Sequence, residues 1–498
     1  MIKKAITRDR NILILLLVYT VLLLFFCSKM SPLYPFNEWS DVNLYFNIGK
    51  AIFNGRTLYT EAFDHKGPLI FFIYGIGYLI SNTGFFGVFL LEIIGWFLLA
   101  GCAYYSARLF IAKEYAVLVA LAFPLIVLTH TQHGGSAEEF ILFFQAISFY
   151  LFLRFFKSGD KPHPCNYMLM HGIMSAATFL IKLNVVLFWF FPLLAILITL
   201  LINKEYKNLL RNILFYIAGV LIVFIPVCLY LYINSALSEA YDIYITLNRE
   251  YASVTPQYLH VRLFARLRYD SPDFIILLLG VFLFPIKNLK NRIGAISLAL
   301  TFIILFVTVN LSYIYSPYYA IPYYIFGITG FIVIVQFLAK YIHLKDSLII
   351  YSFFLLVAIF IGIKEKQYFN VDRRVIQRYD KPHELVDQFS EIIGRESKPT
   401  LLNLGLDLGN GVFTKTGIIP NIRYFISPNL QYHYYPQMRD EQTKYIENKQ
   451  VQFIILYEKS FNYEYFSQLP AFNEYYERVD TYTHSTHEPY HLYKLKTP

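Results

Sequence analysis

The chain has 498 residues, 56% of them hydrophobic and only 15% charged, with a formal net charge of +9. Soluble domains carry nearer a quarter charged residues, so a chain this apolar cannot cover itself in water and reads as a polytopic membrane protein. The basic excess sits in short patches between apolar runs, which points to membrane topology and away from nucleic acid, and the four cysteines (Cys27, Cys102, Cys165, Cys228) show neither a disulfide framework nor zinc-ligand spacing.

The chain opens with Lys3, Lys4, Arg8 and Arg10, followed by an apolar run over 11–28. No small-residue cleavage site follows, so this run is expected to stay as a first spanning helix. Further apolar runs fall at 68–83, 84–107, 114–130, 137–153, 167–181, 184–202, 212–233, 273–286, 294–312, 318–338 and 347–363. A bilayer core takes about 20 helical residues. The run 68–83 is short and starts at Pro68. If it does not cross, the remaining cytoplasmic loops are Arg108/Lys113, Arg154/Lys157/Lys161, Lys204/Lys207/Arg211, Lys287/Lys290/Arg292 and Lys340/Lys345, all basic. If it crosses, most of these clusters move outside. The charge pattern therefore predicts about eleven spans, a cytoplasmic N-terminus, and an interfacial or re-entrant 68–83.

On that topology the outer face receives a first loop (29–82), a short second loop (129–140), a third loop (240–270) and the tail from Lys364 to Pro498. The tail alternates strand-like runs, 400–404 and 451–456, with turn signals at 408–411, and is expected to form a small α/β or mixed domain.

The first loop carries Asp41 at the start of an expected short helix, with Ser40 as its N-cap and Asn54-Gly55 as its end. Leu44, Ile48, Ala51 and Ile52 would give that helix an apolar face for the membrane surface. Asp41 then sits at the helix start just outside the bilayer, where its plain reading is a capping acid favoured by the helix dipole. Next comes Tyr59-Thr60-Glu61-Ala62-Phe63-Asp64-His65-Lys66-Gly67-Pro68, a charged cluster set before an apolar run. Lys66 would either snorkel to water or bind a lipid phosphate, and Asp64 with His65 is a loose candidate for a metal.

Glu92 is the acid placed well inside an apolar run, read as a polar contact between helices or as a position near the outer end. The second loop leads into Glu138 and Glu139 at the head of the next span. These differ by about 100° around a helix, so one is expected to face inward and the other elsewhere. Lys182 lies at the expected outer surface against the charge bias and calls for a specific anionic partner. The third loop mixes tyrosines with Arg262 and Arg266, one helical turn apart, which suits a phosphate and a sugar as well as an ordinary headgroup-facing loop.

The order of these parts resembles the GT-C membrane glycosyltransferases, in particular bacterial members of the protein O-mannosyltransferase and lipid A aminoarabinose transferase superfamily. The resemblance rests on Asp41-x-x-x-Tyr45-Phe46-x-x-Gly49-Lys50-Ala51, on Asn54-Gly55 and Tyr59, on Asp64-His65-Lys66-Gly67-Pro68, on the paired acids, and on Tyr315-Ser316-Pro317-Tyr318-Tyr319-Ala320-Ile321-Pro322. It covers most of residues 1–340. It implies an all-α polytopic membrane protein of GT-C type with interfacial helices in the first outer loop. The transmembrane catalytic domain would span 1–363, and a small extracytoplasmic α/β domain 364–498. It implies transfer of a sugar from a polyprenyl-phosphate donor to an acceptor hydroxyl on the outer face of the cytoplasmic membrane. Asp41 would be the general base, and Glu138, with Glu139 as second choice, would position the acceptor or a metal. Lys66 would contact the donor phosphate, and Tyr45, Tyr59, Asp64, His65, Arg262, Arg266 and Tyr318 would complete the substrate-binding set. His65 stands where some relatives have an acid, so a divalent metal is left open. The acceptor is a glycan, a lipid or a protein. Two other classes share the layout: a transporter or lipid flippase, and an envelope-glycan polymerase or ligase.

Overall fold

The computed structural model describes residues 9–131, 134–158, 162–251, 259–269, 271–311, 316–341, 384–405, 407–427, 430–484 and 487–496. Helices dominate because long runs of Leu, Ile, Val and Phe can place every backbone polar group in an internal hydrogen bond, as a hydrocarbon environment demands. In chain order the first nine are α1 (Arg10–Cys27), α2 (Ser40–Phe53), α3 (Pro68–Ile80), α4 (Phe86–Arg108), α5 (Lys113–Leu128), α6 (Ala137–Ser158), α7 (Cys165–Phe179), α8 (Phe190–Ile202) and α9 (Tyr206–Ile233). A 3-10 stretch, Leu183–Trp189, leads into α8. Then come α10 (Leu237–Tyr241), α11 (Leu259–Tyr269), α12 (Ser271–Leu278) and α13 (Arg292–Val309), with one-turn helices at Asn248–Tyr251 and Phe284–Asn288. A 3-10 stretch, Pro317–Phe326, then runs into α14 (Gly327–Leu338).

Seven segments among the described residues are long and apolar enough to cross a bilayer: Arg10–Cys27, Phe86–Arg108, Ala137–Ser158, Leu183–Ile202, Tyr206–Ile233, Arg292–Val309 and Pro317–Leu338. The expected runs at 114–130 and 167–181 are helices of 16 and 15 residues. The run at 273–286 is a helix broken by a π-turn, Leu279–Leu283. The run at 347–363 lies outside the described residues. The α9 helix turns Leu210, Leu214, Ile222, Ile225 and Leu229 outward, each at least half exposed, which is the surface expected against lipid. By contrast α3 has 13 residues, a length of about 20 Å against a hydrocarbon core of about 30 Å.

The chain divides into two compact units, each drawn from several segments. The first gathers Met1–Ser28, Leu91–Val227 and Ala252–Asn370. Within it α6 packs against α7 and the Pro317–Phe326 stretch, and α13 against α8 and Leu183–Trp189. Phe149, Phe152, Phe188, Phe302 and Phe326 fill this core, most of them edge to face or tilted.

The second unit gathers Lys29–Leu90, Cys228–Tyr251 and Val371–Pro498, so the first loop packs with the C-terminal segment. Its sheet has four strands in the order β1-β2-β4-β3: β1 Leu401–Asn403, β2 Phe453–Tyr457, β3 Tyr476–His484 and β4 His487–Leu495. Among the described strands β1 and β2 pair in parallel and the other pairings are antiparallel, so the sheet is mixed. The turn signals at 408–411 fall on a 3-10 turn, Asp407–Gly409, that leads into a helix, Asn410–Thr416.

Two local expectations about α2 are corrected. Ser40 is the first helical residue and makes no cap; its hydroxyl accepts from Asn410 Nδ2 at 2.9 Å. Leu44, Ile48 and Ala51 do not face a membrane surface. They are buried in protein, and α3 crosses the same helix at Gly49. The crossing is close enough that a Cβ on Gly49 would sit 2.6 Å from the Gly75 nitrogen, so only glycine fits.

Candidate active site

The predicted residues fall into two groups, one in each unit. In the second unit, Asp41 occupies the first turn of α2 and is partly exposed. The hydroxyl of Tyr45, one turn on, donates to Asp41 Oδ2 at 3.3 Å. Lys66 Nζ lies 6.0 Å from the centre of the Tyr45 ring, so a carboxylate and an ammonium meet the same buried tyrosine.

Tyr59 builds the turn that presents Lys66. It is fully buried with φ of 70°, a conformation that costs a non-glycine residue roughly 1–3 kcal/mol and persists only where surroundings enforce it. Its N–H donates to Ala62 O at 2.8 Å and its hydroxyl to Lys66 O at 2.9 Å. Burial pushes the Tyr59 phenol well above its ordinary pKa, so it stays a donor. Asp64 is fully buried with His65 Nδ1 at 3.2 Å. Burial would raise the Asp64 carboxyl, but His65 and Lys66 outweigh it and hold the group below the usual carboxylate value. Among the described residues no group of three His, Cys, Asp or Glu side chains could hold a metal ion, and Asp64 with His65 supplies only two donors.

The first unit holds the paired acids; both are almost fully buried, so neither turns outward as the helix spacing suggested, and their partners separate their roles. Glu139 forms a reciprocal capping box: Ser136 N donates to Glu139 Oε1 and Glu139 N donates to Ser136 Oγ, each at 3.1 Å. Its other oxygen accepts from Trp96 Nε1 at 3.2 Å. Glu138 instead accepts from Lys182 Nζ at 2.5 Å. That ammonium also lies 4.0 Å from the centre of the Tyr319 ring. So Lys182, which lacked an anionic partner in the sequence, is paired with Glu138, while the second Glu138 oxygen is buried without a hydrogen bond.

Arg262 and Arg266 both lie on α11, within the segment read as a third loop. Arg266 is buried and donates from Nε to Tyr323 Oη at 2.9 Å; Arg262 is half-exposed. Tyr318 is buried against Tyr319, ring centres 4.7 Å apart. Glu92 accepts from Ser28 Oγ at 2.8 Å, just past the end of α1. Gly134 closes over this pair with φ of +87°, and a Cβ there would meet Ser28 Oγ at 2.2 Å.

Two residues of this arrangement escaped the sequence reading. Ser136 carried a legible signal, the Ser-x-x-Glu spacing to Glu139. Trp96 carried none, because its partner is remote in sequence.

Residues 65–232 match the family model described as dolichyl-phosphate-mannose-protein mannosyltransferase. No curated protein matches the chain. Among solved structures, ArnT from Cupriavidus metallidurans bound to undecaprenyl phosphate superposes with a TM-score of 0.59 at 14% identity, covering 98% of this chain and 98% of that one. The same enzyme in the apo state gives 0.58 at 13% identity with the same coverage. This chain has the GT-C fold of membrane glycosyltransferases. An oligosaccharyltransferase from Archaeoglobus fulgidus, in complex with Zn and sulfate, aligns at a TM-score of 0.45 and 15% identity, over 96% of this chain and 72% of its own. Within the GT-C chain, the family match takes in Lys66, Glu138, Glu139 and Lys182 but begins after Asp41 and Tyr45.

Proposed function

We propose that this protein transfers a sugar from a polyprenyl-phosphate-linked donor to an acceptor hydroxyl at the outer face of the cytoplasmic membrane. The observation that carries the reading is the Asp41–Tyr45–Lys66 arrangement, a carboxylate and an ammonium held on one buried ring. The GT-C fold, and the undecaprenyl phosphate bound by the ArnT that shares it, support the lipid class.

Asp41 takes the proton of the acceptor hydroxyl as its oxygen bonds to the anomeric carbon. The bond from that carbon to the phosphate oxygen breaks, and the lipid phosphate leaves with the electron pair. Lys66 stabilises the charge that develops on that phosphate. Base catalysis of this kind supplies roughly 10²–10⁴ in rate, and a well-placed cation a comparable factor. Tyr45 orients the carboxylate, and Tyr59 and the Asp64–His65 pair hold the Lys66 turn. In the first unit, Glu138 and Lys182 beside Tyr318 and Tyr319 form a charged, aromatic-lined cluster suited to sugar hydroxyls. In the same unit Arg266 and Arg262 carry positive charge that suits a phosphate. The described residues do not fit a divalent ion, so no step is routed through one.

Asp41→Asn in detergent-purified protein, supplied with a polyprenyl-phosphate sugar, should lose transfer about 100-fold or more. Turnover near wild type would remove Asp41 from the chemistry. Product analysis separates single-sugar transfer from the block-wise products of a polymerase. A lipid-scrambling signal without product would favour a flippase. Sidedness is tested with single cysteines at the exposed positions Asn82 and Lys204. Outside labelling of Asn82→Cys, and of Lys204→Cys only after permeabilisation, is expected.

A further inference from the structure

Helix α2 has a second face that this chemistry does not use. At about 100° per residue, Asn43, Asn47 and Lys50 fall on the side of the helix away from Asp41 and Tyr45. All three are buried, and all three bond to the C-terminal segment of the same unit. Asn43 Oδ1 accepts from Thr414 Oγ1 at 2.7 Å. Asn47 Nδ2 donates to Thr414 Oγ1 at 3.0 Å and to Asn410 O at 3.2 Å. Lys50 Nζ donates to Phe413 O at 2.6 Å. Asn410 continues the network to the sheet, its Oδ1 accepting from Asn403 Nδ2 of β1 at 2.7 Å.

Phe413 O is one of the last four carbonyls of the helix Asn410–Thr416, which ends at the left-handed Gly417. Such carbonyls lack helical partners and carry the negative end of the dipole, so an ammonium there is a C-cap. Lys50 is fully buried with this carbonyl as its anchor, and it makes no ion pair among the described residues. Burial lowers its pKa to about 7, which shows how costly the placement is for charge. An apolar seam would pack as well but would allow sliding. A ladder of matched buried donors and acceptors accepts one register only.

We propose that Lys50, with Asn43 and Asn47, is a positioning residue for the transfer reaction: it caps the helix Asn410–Thr416 and so fixes α2, and with it Asp41, on the C-terminal sheet. The C-terminal segment is then part of the catalytic unit. The inference rests on the proposed role of Asp41.

The test uses the full chain in detergent. Lys50→Met keeps the length and removes the donor, and Thr414→Val breaks the ladder from the other side. Each should lower kcat about ten-fold, leave KM for the lipid-linked donor within about two-fold, and speed amide hydrogen exchange in α2. The two together should cost little more than either alone, because both open the same seam. Lys50→Met with kcat and exchange both near wild type overturns the proposal. If Lys50→Met does not fold, Thr414→Val carries the same readouts, and unchanged turnover and exchange there overturn it. Asp41→Asn is measured alongside: if it is inactive while the seam variants are normal, only the positioning role fails. If Asp41→Asn is active, the base assignment fails while hydrogen exchange still tests the seam.

Discussion

Removing Lys182 should damage the protein more than removing its partner. Glu138 is 1% exposed and Lys182 24% exposed, and among the described residues Lys182 is the one cation that pairs with this carboxylate. Lys182→Met leaves a buried carboxylate without its counter-charge. Breaking a fully buried pair in this way costs roughly 3–5 kcal/mol, and water reaching the partly exposed lysine side reduces this to about 2–3 kcal/mol. Glu138→Gln is milder, because the ammonium keeps its contact with the Tyr319 ring and can turn to solvent; about 1 kcal/mol is expected. In Glu138→Gln/Lys182→Met the buried charge is gone, so the double variant should recover about 1–2 kcal/mol relative to Lys182→Met. Thermal unfolding of all four proteins in one detergent measures this order. A Lys182→Met protein as stable as Glu138→Gln, or a double variant less stable than Lys182→Met, would refute the argument.

Gly49→Ala drives a Cβ into the α3 backbone, 2.6 Å from Gly75 N and 2.7 Å from Phe71 O, and should cost about 1–3 kcal/mol in thermal unfolding. Gly101→Ala meets nothing within 4 Å and should be neutral or stabilising by up to about 1 kcal/mol. Ser136→Ala opens the capping box at the head of α6 and should cost about 1 kcal/mol, read as a lower unfolding temperature. His163 lies between α6 and α7, with Nδ1 2.7 Å from Asn212 Oδ1, and burial pushes its imidazole down to about 4. Its folded pKa is below the unfolded value near 6.5, so its stabilising effect is complete above about pH 6.5 and is lost as pH falls toward 4. His163→Gln should flatten that acid limb of the unfolding profile; an unchanged limb assigns it to other groups.

The parts of this protein that were legible in its sequence are those whose cause is local. Apolar runs of spanning length, the proline opening α3 and the charge pattern between runs are properties of short windows, and seven long apolar helices appear where such runs were read. The pairing of Asp41 with Tyr45 is local too, since residues four apart on a helix are neighbours. The assignment of Glu138 and Glu139 was not, because it turns on Lys182 and Trp96, each more than forty residues away.

The misreading of α2 shows the limit most clearly. Leu44, Ile48 and Ala51 make a correct apolar stripe, but a stripe specifies only that something apolar covers it, and a membrane surface and a protein interior satisfy that equally. Asn43, Asn47 and Lys50 lie on another face and are among the most buried polar residues described. The missing information was the identity of their partners, Asn410, Phe413 and Thr414, more than 360 residues downstream. Those partners are a short helix with neither length nor an apolar stripe to announce it. A polar ladder has meaning only when both sides are known, whereas an apolar face is recognisable from one side. That asymmetry puts the blind spot of a single sequence at its buried polar seams, and the Lys50 seam is where its cost can be measured.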